Sequence, residues 1–295
     1  MIIGVLGPEG SYSERAAKLW MLKNDLGAAK LRYFEDIEDA FFAAATGETD
    51  LSVIPIENSI EGSVGVTLDL LREDGAVISG EVVVRIEHCL LSKGSPEEIR
   101  VVLSHPQALA QCRHFLKTNF PHAELRSTGS TSHAARLAGE FEEMAAIASS
   151  EAAEKYGLKV LLSNIQDRKE NHTRFIVVRA EKSGKYAPTA SACKETGKEP
   201  GKIRGKCKTS LIAYLAKDRP GALYELLGAF AKRGVNLTKI ESRPSKKELG
   251  DYYFYIDFEG SDSDALIKDA LEDIKAKVDM LKVLGSYPAL GNSEA

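Results

Sequence analysis

Three short apolar runs within the first 56 residues, at 2–6, 31–34 and 51–56, are separated by two segments with helical character. That alternation constrains the fold more than any other feature of the chain. Strands joined through helices lie parallel with right-handed crossovers, because a hairpin cannot connect parallel neighbours. Ser11, with Glu14 three residues on, is a capping-box signature and predicts a helix running to about Trp20. The alanine-rich segment 39–46 predicts a second helix, ended by Gly47. The order βαβαβ belongs to the α/β class.

The pattern resumes downstream. Strands are expected at 82–86, 101–103, 123–127, 145–148, 160–162 and 175–178, with helices at 106–117, 130–139 and 151–156. Residues 1–180 thus predict two α/β lobes, with a ligand crevice framed by strand ends and helix N-termini. Residues 181–208 break this order. They hold eight Lys/Arg against three Glu and almost no large apolar residue, so they predict a flexible basic tether.

A different unit is expected over 209–286, followed by a tail at 287–295. Strands at 210–216, 235–243, 252–258 and 280–285 alternate with two helices in the order βαββαβ, the ferredoxin-like signature. Asp218-Arg219-Pro220-Gly221 predicts the first helix start, with Asp218 as N-cap, and Gly234 its end. Leu223, Leu226, Leu227 and Phe230 fall at i, i+3, i+4 and i+7 and predict its buried stripe. The second helix is expected over 264–278. A sheet with one helix-covered face is readily protected by edge pairing with a second copy, so a homodimer or homotetramer is expected.

Composition narrows the function. A net charge of −4 gives no reason to expect nucleic acid or an anionic membrane as partner, and the basic tether lacks the interleaved aromatics of an RNA-binding segment. Residues 1–6 carry no basic leader, and no apolar run approaches membrane-spanning length, so a cytoplasmic location is expected. Cys89, Cys112, Cys193 and Cys207 form no CxxC pair, which favours reduced thiols over a disulfide frame. The six histidines show no metal-ligand spacing, so no metal is expected.

Four polar segments stand at predicted strand ends or helix starts. Gly7-Pro8-Glu9-Gly10-Ser11-Tyr12-Ser13 joins the first strand to the first helix, where backbone N–H groups and the helix terminus suit a carboxylate. Pro55-Ile56-Glu57-Asn58-Ser59 leaves the third strand, and Ser104-His105-Pro106-Gln107 another, with Gln111 a helical turn on. Asn171-His172-Thr173-Arg174-Phe175 sets a hydroxyl beside a guanidinium at the mouth of an apolar strand. A further helix opens with Ser130-Thr131-Ser132. Neighbouring Ser104 and His105 do not make a hydrolase, since no G-x-S-x-G elbow is present. Hydroxyls and amides with few acids point to a small anionic substrate and to chemistry done by positioning and charge stabilisation. These residues alone do not separate an enzyme from a binding protein.

Taken in order, those segments resemble the prephenate dehydratase family, over about residues 1–179. Residues 219–224 (RPGALY) and 241–244 (ESRP) are similar to the ACT regulatory domain. With no helical mutase-like segment before Met1, the monofunctional form is expected. The resemblance implies a periplasmic-binding-protein-like catalytic region and conversion of prephenate to phenylpyruvate, water and CO₂, without a cofactor. It implies that Thr173 serves the departing hydroxyl, with Asn58, Ser104 and Gln111 orienting the substrate and Glu57 as acid or scaffold. Arg174, Ser11, Ser13 and Thr131 would meet carboxylates, with Phe175 beside them. Phenylalanine would bind the ACT part through Gly221, Ala222 and Leu223, with Asn236, Leu237 and Thr238 on the facing strand. Arogenate dehydratase and a non-catalytic sensor of aromatic acids are the alternatives.

Overall fold

A computed structural model describes residues 1–183, 193, 207–215, 219–246 and 250–289. The order begins as the alternation predicts, with β1 (Ile2–Leu6), α1 (Tyr12–Lys23), β2 (Lys30–Phe34), α2 (Ile37–Ala45) and β3 (Leu51–Asn58). β1 and β2 pair in parallel. At the start of α1, Ser11 Oγ accepts from the Glu14 N–H, while the Glu14 carboxylate reaches past it to accept from Gly10 N–H at 2.6 Å. Then come β4 (Gly62–Ser63), α3 (Gly65–Leu70), β5 (Ala76–Arg85), β6 (Cys89–Ser92) and β7 (Val101–Ser104).

Three of these, β4, α3 and β6, escaped the sequence reading and a fourth, β5, was found only in part, for identifiable reasons. β5 starts at Ala76, six residues before the expected 82, because its first six residues include buried Ser79 and Glu81, whose polarity masks the strand. Both are satisfied: Ser79 donates to Val177 O, and Glu81 takes Lys208 Nζ at 2.8 and 2.9 Å. β6 follows with no turn residues to announce it, and all of its four residues are buried. β4 and α3 are too short to show periodicity.

The chain continues through α4 (Pro106–Gln111), α5 (Arg113–Asn119), β8 (Glu124–Ser127), α6 (Thr131–Ala138), β9 (Met144–Ala148), α7 (Ser150–Tyr156), β10 (Lys159–Leu162) and β11 (His172–Ala180). The single helix expected over 106–117 is broken at Cys112. The Asp167 carboxylate caps the new start, accepting from His114 N–H at 3.0 Å and Phe115 N–H at 3.2 Å. Asp167 N–H in turn takes the carbonyl of Gln111 at the end of α4. A distant residue supplies this cap, so no local signal betrays it.

One sheet has the order β2-β1-β3-β11-β5 with β4 beside β3; a second runs β10-β6-β9-β7-β8. The second is mixed: β7 pairs in parallel with β8 and β9, while β6 runs antiparallel to β9 and β10. Alanines of β9, α6 and α7 dominate one of its faces.

The C-terminal part has β12 (Cys207–Leu215), α8 (Ala222–Ala231), β13 (Leu237–Pro244), β14 (Tyr252–Glu259), α9 (Ala265–Lys275) and β15 (Met280–Pro288). Its antiparallel sheet has the order β13-β14-β12-β15 and keeps the βαββαβ pattern. Leu226 and Phe230 of α8 pack with Ile256, Phe258 and Ile267 in its core. Leu223 of the expected stripe stands outside this cluster and is 37% exposed. The N-cap of α8 is Gly221, in the left-handed region at φ 87°; Asp218 lies outside the described residues.

The expected tether lies mostly outside the described residues. Cys193, within it, forms a disulfide with Cys207, their Cα atoms 5.6 Å apart, which corrects the expectation of four reduced thiols. That separation is within bridging range, but a pair 14 residues apart forms no recognisable motif. Cys89 and Cys112 are free and buried.

By internal contacts the chain divides into two units. The first comprises Met1–Ala40, Val53–Val64 and Val82–Phe175; the second comprises Phe41–Ser52, Gly65–Glu81 and Ile176–Ala295. Within the second, the ferredoxin-like sheet meets the α3–β5 segment. Tyr255 donates to Leu68 O at 2.7 Å, and Lys282 Nζ to Glu73 O at 2.6 Å. Gly285, at φ 143°, lies so close to β5 that a Cβ there would overlap the Ile78 carbonyl oxygen.

Candidate active site

A cavity of about 260 Å³, lined wholly by residues of the first unit, gathers most of the polar segments. Strand ends deliver Asn58 from β3 and Thr173 and Phe175 from β11. The N-terminal ends of α1 and α6 deliver Ser11, Tyr12, Ser13, Ser130 and Thr131. His105 and Gln107 come from the start of α4, and Gln111 from its end. Helix N-termini aim unpaired N–H groups and positive potential into the space between them, which suits an anion.

Strand alternation sorts the β3 and β11 residues. Successive side chains point to opposite faces of a strand, so Asn58 and Thr173 face the cavity together. Asn58 Nδ2 donates to Thr173 Oγ1 at 2.8 Å and to Asn171 Oδ1 at 2.8 Å. Glu57 and Arg174, one residue away from each, are absent from the cavity lining and pair with one another at 3.1 Å. The juxtaposition of Thr173 and Arg174 in sequence therefore does not bring the guanidinium beside the hydroxyl. Ser104 is also turned away. It is fully buried at the end of β7 and donates to Ile147 O at 2.6 Å.

Ser11 lines the cavity while donating to Leu6 O at 3.1 Å. Gln111 is held from several sides, its Oε1 meeting Asn171 Nδ2 at 2.9 Å and His88 Nε2 at 2.9 Å. Of these partners, Asn171 stands in a segment singled out from the sequence, whereas His88 does not. His88 sits in an apolar stretch that offers no motif. His88 is 3% exposed, and burial holds its imidazole below the usual histidine range, against a smaller opposing effect of the Gln111 bond.

The direction of the Asn58 bonds matters chemically. Asn58 Oδ1 accepts from the backbone N–H groups of Ile60 at 2.9 Å and Glu61 at 3.1 Å, so the side-chain amide NH₂ must be the part facing Thr173. Thr173 Oγ1 therefore accepts from Asn58 and keeps its own proton to donate. A hydroxyl arranged in this way is a donor prepared for an oxygen in the cavity.

A second cavity, of about 340 Å³, lies in the ferredoxin-like part. Gly221, Ala222 and Leu223 line it with Arg219, Tyr252 and Phe254. Asn236, Leu237 and Thr238 do not line it; Leu237 and Thr238 open β13.

An α/β unit with a small-anion cavity and a prepared hydroxyl donor, followed by a ferredoxin-like domain with its own cavity, describes a small-molecule enzyme joined to a regulatory module. Residues 3–183 match the prephenate dehydratase family and residues 209–276 the ACT domain. The chain belongs to the prephenate dehydratase family. It is 40% identical to the prephenate dehydratase of Methanocaldococcus jannaschii, over 95% of this chain and 96% of that one. The solved prephenate dehydratase of Arthrobacter aurescens, in complex with L-Phe, superposes with a TM-score of 0.81 at 32% identity, covering 98% of this chain and 92% of the other. A solved quorum-quenching acylase, GqqA, also reaches a TM-score of 0.81, at 29% identity and with 98% of both chains covered.

Proposed function

We propose that this chain converts prephenate to phenylpyruvate, CO₂ and water, and that phenylalanine regulates it through the ACT domain. The observation that carries this reading is the Asn58–Thr173 pair, which leaves the threonine proton for a substrate oxygen. As the ring carboxylate departs as CO₂, the electron pair of the breaking C–C bond enters the ring and the C–O bond to the ring hydroxyl breaks. The hydroxyl takes up one proton and leaves as water. Aromatisation supplies the driving force, so the site needs to orient the carboxylate and stabilise the departing oxygen.

Thr173 donates to that oxygen in the transition state. A threonine is a poor acid in water, so its role is a directed hydrogen bond, with the net proton coming from solvent. The starts of α1 and α6, with Ser13 and Thr131, receive the carboxylates. Gln111 and Asn58 hold the ring between them. Glu57 and Arg174 support β3 and β11 from the opposite face.

The likeness to GqqA raises acyl transfer as a second reading. Acyl transfer needs a nucleophile activated by a base. The partner of Thr173 is an amide donor, which supports dehydration instead. Assembly through the ACT domains is part of the proposal. The apolar side chains of Tyr224, Ile240 and Tyr252 are exposed, and among the described residues β13 and β15 are the outer strands of the sheet. The test is phenylpyruvate formation from prephenate by purified protein, with arogenate and an acyl-homoserine lactone as competing substrates. Turnover of prephenate above both supports the proposal, and preference for either of the others overturns it.

A further inference from the structure

We propose that His88 is a positioning residue for this reaction, held as the neutral Nε2–H tautomer at one end of a hydrogen-bond chain whose other end is Thr173. This rests on the dehydratase reading of the cavity. Ring tautomers and amide orientations follow from which donors and acceptors face one another. In this cavity the network leaves one self-consistent solution.

Backbone N–H groups can only donate. Ile60 and Glu61 therefore fix Asn58 Oδ1 as their acceptor, at 2.9 and 3.1 Å. The Asn58 NH₂ group then donates to Thr173 and to Asn171 Oδ1. With its oxygen so used, Asn171 presents its NH₂ to Gln111 Oε1 at 2.9 Å. Gln111 Nε2 is turned towards Glu61 Oε1, at 3.4 Å. The atom facing His88 Nε2 at 2.9 Å is thus an oxygen without a proton, and the imidazole must supply one.

The other ring nitrogen agrees with this assignment. His88 Nδ1 is buried and has no hydrogen-bond partner among the described residues. In the Nε2–H tautomer it carries only a lone pair, whereas in the other tautomer or in imidazolium it would be a buried donor with no acceptor. The residue is held in place as well, its backbone by two hydrogen bonds and its ring by an aromatic neighbour. The backbone N–H of His88 donates to Gln166 Oε1 at 3.0 Å, the Ile165 N–H donates to the His88 carbonyl, and the Tyr12 ring stands edge-on to the imidazole at 76° with centroids 6.2 Å apart. Burial, which disfavours a charged ring, acts in the same direction.

The consequence is that two backbone amides pin the amide chain at one end and His88 pins it at the other. Without the imidazole donor, Gln111 loses a contact that fixes which of its amide atoms faces the substrate. His88 also lines the cavity, but its one ring N–H is given to Gln111, so its loss should act through a displaced Gln111 and slow turnover more than it weakens binding.

The test combines ¹⁵N-histidine NMR of the wild-type protein, with the His88 signal assigned by its absence in His88→Gln, and kinetics of His88→Leu and His88→Gln. The expected results are a neutral Nε2–H ring at pH 7, and a kcat about tenfold lower in His88→Leu with KM within about threefold. His88→Gln, whose amide can donate to the same oxygen, should recover kcat to within about threefold of wild type. An Nδ1–H or doubly protonated ring, or His88→Leu with wild-type kcat, would overturn the inference. So would His88→Gln as slow as His88→Leu per folded molecule. If His88→Leu does not fold, the tautomer and the His88→Gln kinetics decide. Absence of prephenate turnover in the wild-type protein would sink the dehydratase reading, and the tautomer measurement would still report on the hydrogen-bond chain.

Discussion

Thr173 and Glu57 make opposite predictions although each is one residue from a cavity-lining amide or ion-paired neighbour. Thr173→Val keeps the shape and removes the donor, so kcat should fall about 10²-fold or more with KM little changed. Steady-state kinetics on prephenate measure this, and unchanged turnover would remove Thr173 from the mechanism. Glu57 faces away and pairs with Arg174. Glu57→Gln should keep kcat within about threefold, whereas a loss of the size expected for Thr173 would give Glu57 an acid's role. At this scale the sequence named Asn58 and Thr173, because polar residues at strand ends in an α/β sheet are exposed to a ligand crevice, and Gln111 on the helix that follows another strand end. It could not sort neighbours by face, since one residue's shift reverses every side chain. Hence Ser104, read from the sequence as orienting substrate, is found bonded to Ile147 O beneath the surface. His88 was illegible because its partner Gln111 lies 23 residues away.

The contact between the α3–β5 segment and the ferredoxin-like sheet is the structural element that the sequence concealed most. Asp69 of α3 receives Lys246 Nζ at 2.7 Å and Arg243 Nε at 3.3 Å, with Arg72 Nη2 at 3.7 Å. Partial burial tends to raise its pKa, but the bonds from Lys246 and Arg243 outweigh that and hold the carboxyl below the usual range. A carboxylate so depressed contributes stability above its unfolded pKa, near 4, and loses it as pH falls through the folded value. The gap in melting temperature between wild type and Asp69→Asn should therefore be widest near pH 6 and narrow towards pH 3; a gap independent of pH would contradict the ion-pair account. Because α3 follows the Asn58 loop by a few residues and Arg243 belongs to the ACT sheet, the same substitution should also change the phenylalanine response. We expect the half-inhibitory concentration to shift by threefold or more, with basal kcat retained. Gly285 offers a purely steric check. Gly285→Ala should destabilise by about 1–3 kcal/mol, the scale of overpacking, because its Cβ would meet Ile78 O. None of these contacts has a sequence signal, since each joins segments far apart in the chain.

For the whole molecule, the class of fold was legible from periodicity: α/β first, then βαββαβ. What periodicity could not give was the division into units. The second unit takes 41–52 and 65–81 from within the α/β region and groups them with the C-terminal part. Segments of one continuous α/β pattern thus serve two compact bodies, and only long-range contacts reveal it. Among the described residues no helix is long and apolar enough to cross a membrane. Light scattering on the purified protein should give the mass of a dimer or larger. A monomer at micromolar concentration would remove ACT-mediated assembly from the account.

The most direct measurement is the rate of phenylpyruvate formation from prephenate by the purified protein, with a metal chelator present and phenylalanine varied. The account predicts turnover that survives the chelator, falls as phenylalanine is added, and is lost by about 10²-fold or more in Thr173→Val. Failure to convert prephenate, or full activity in Thr173→Val, would contradict it.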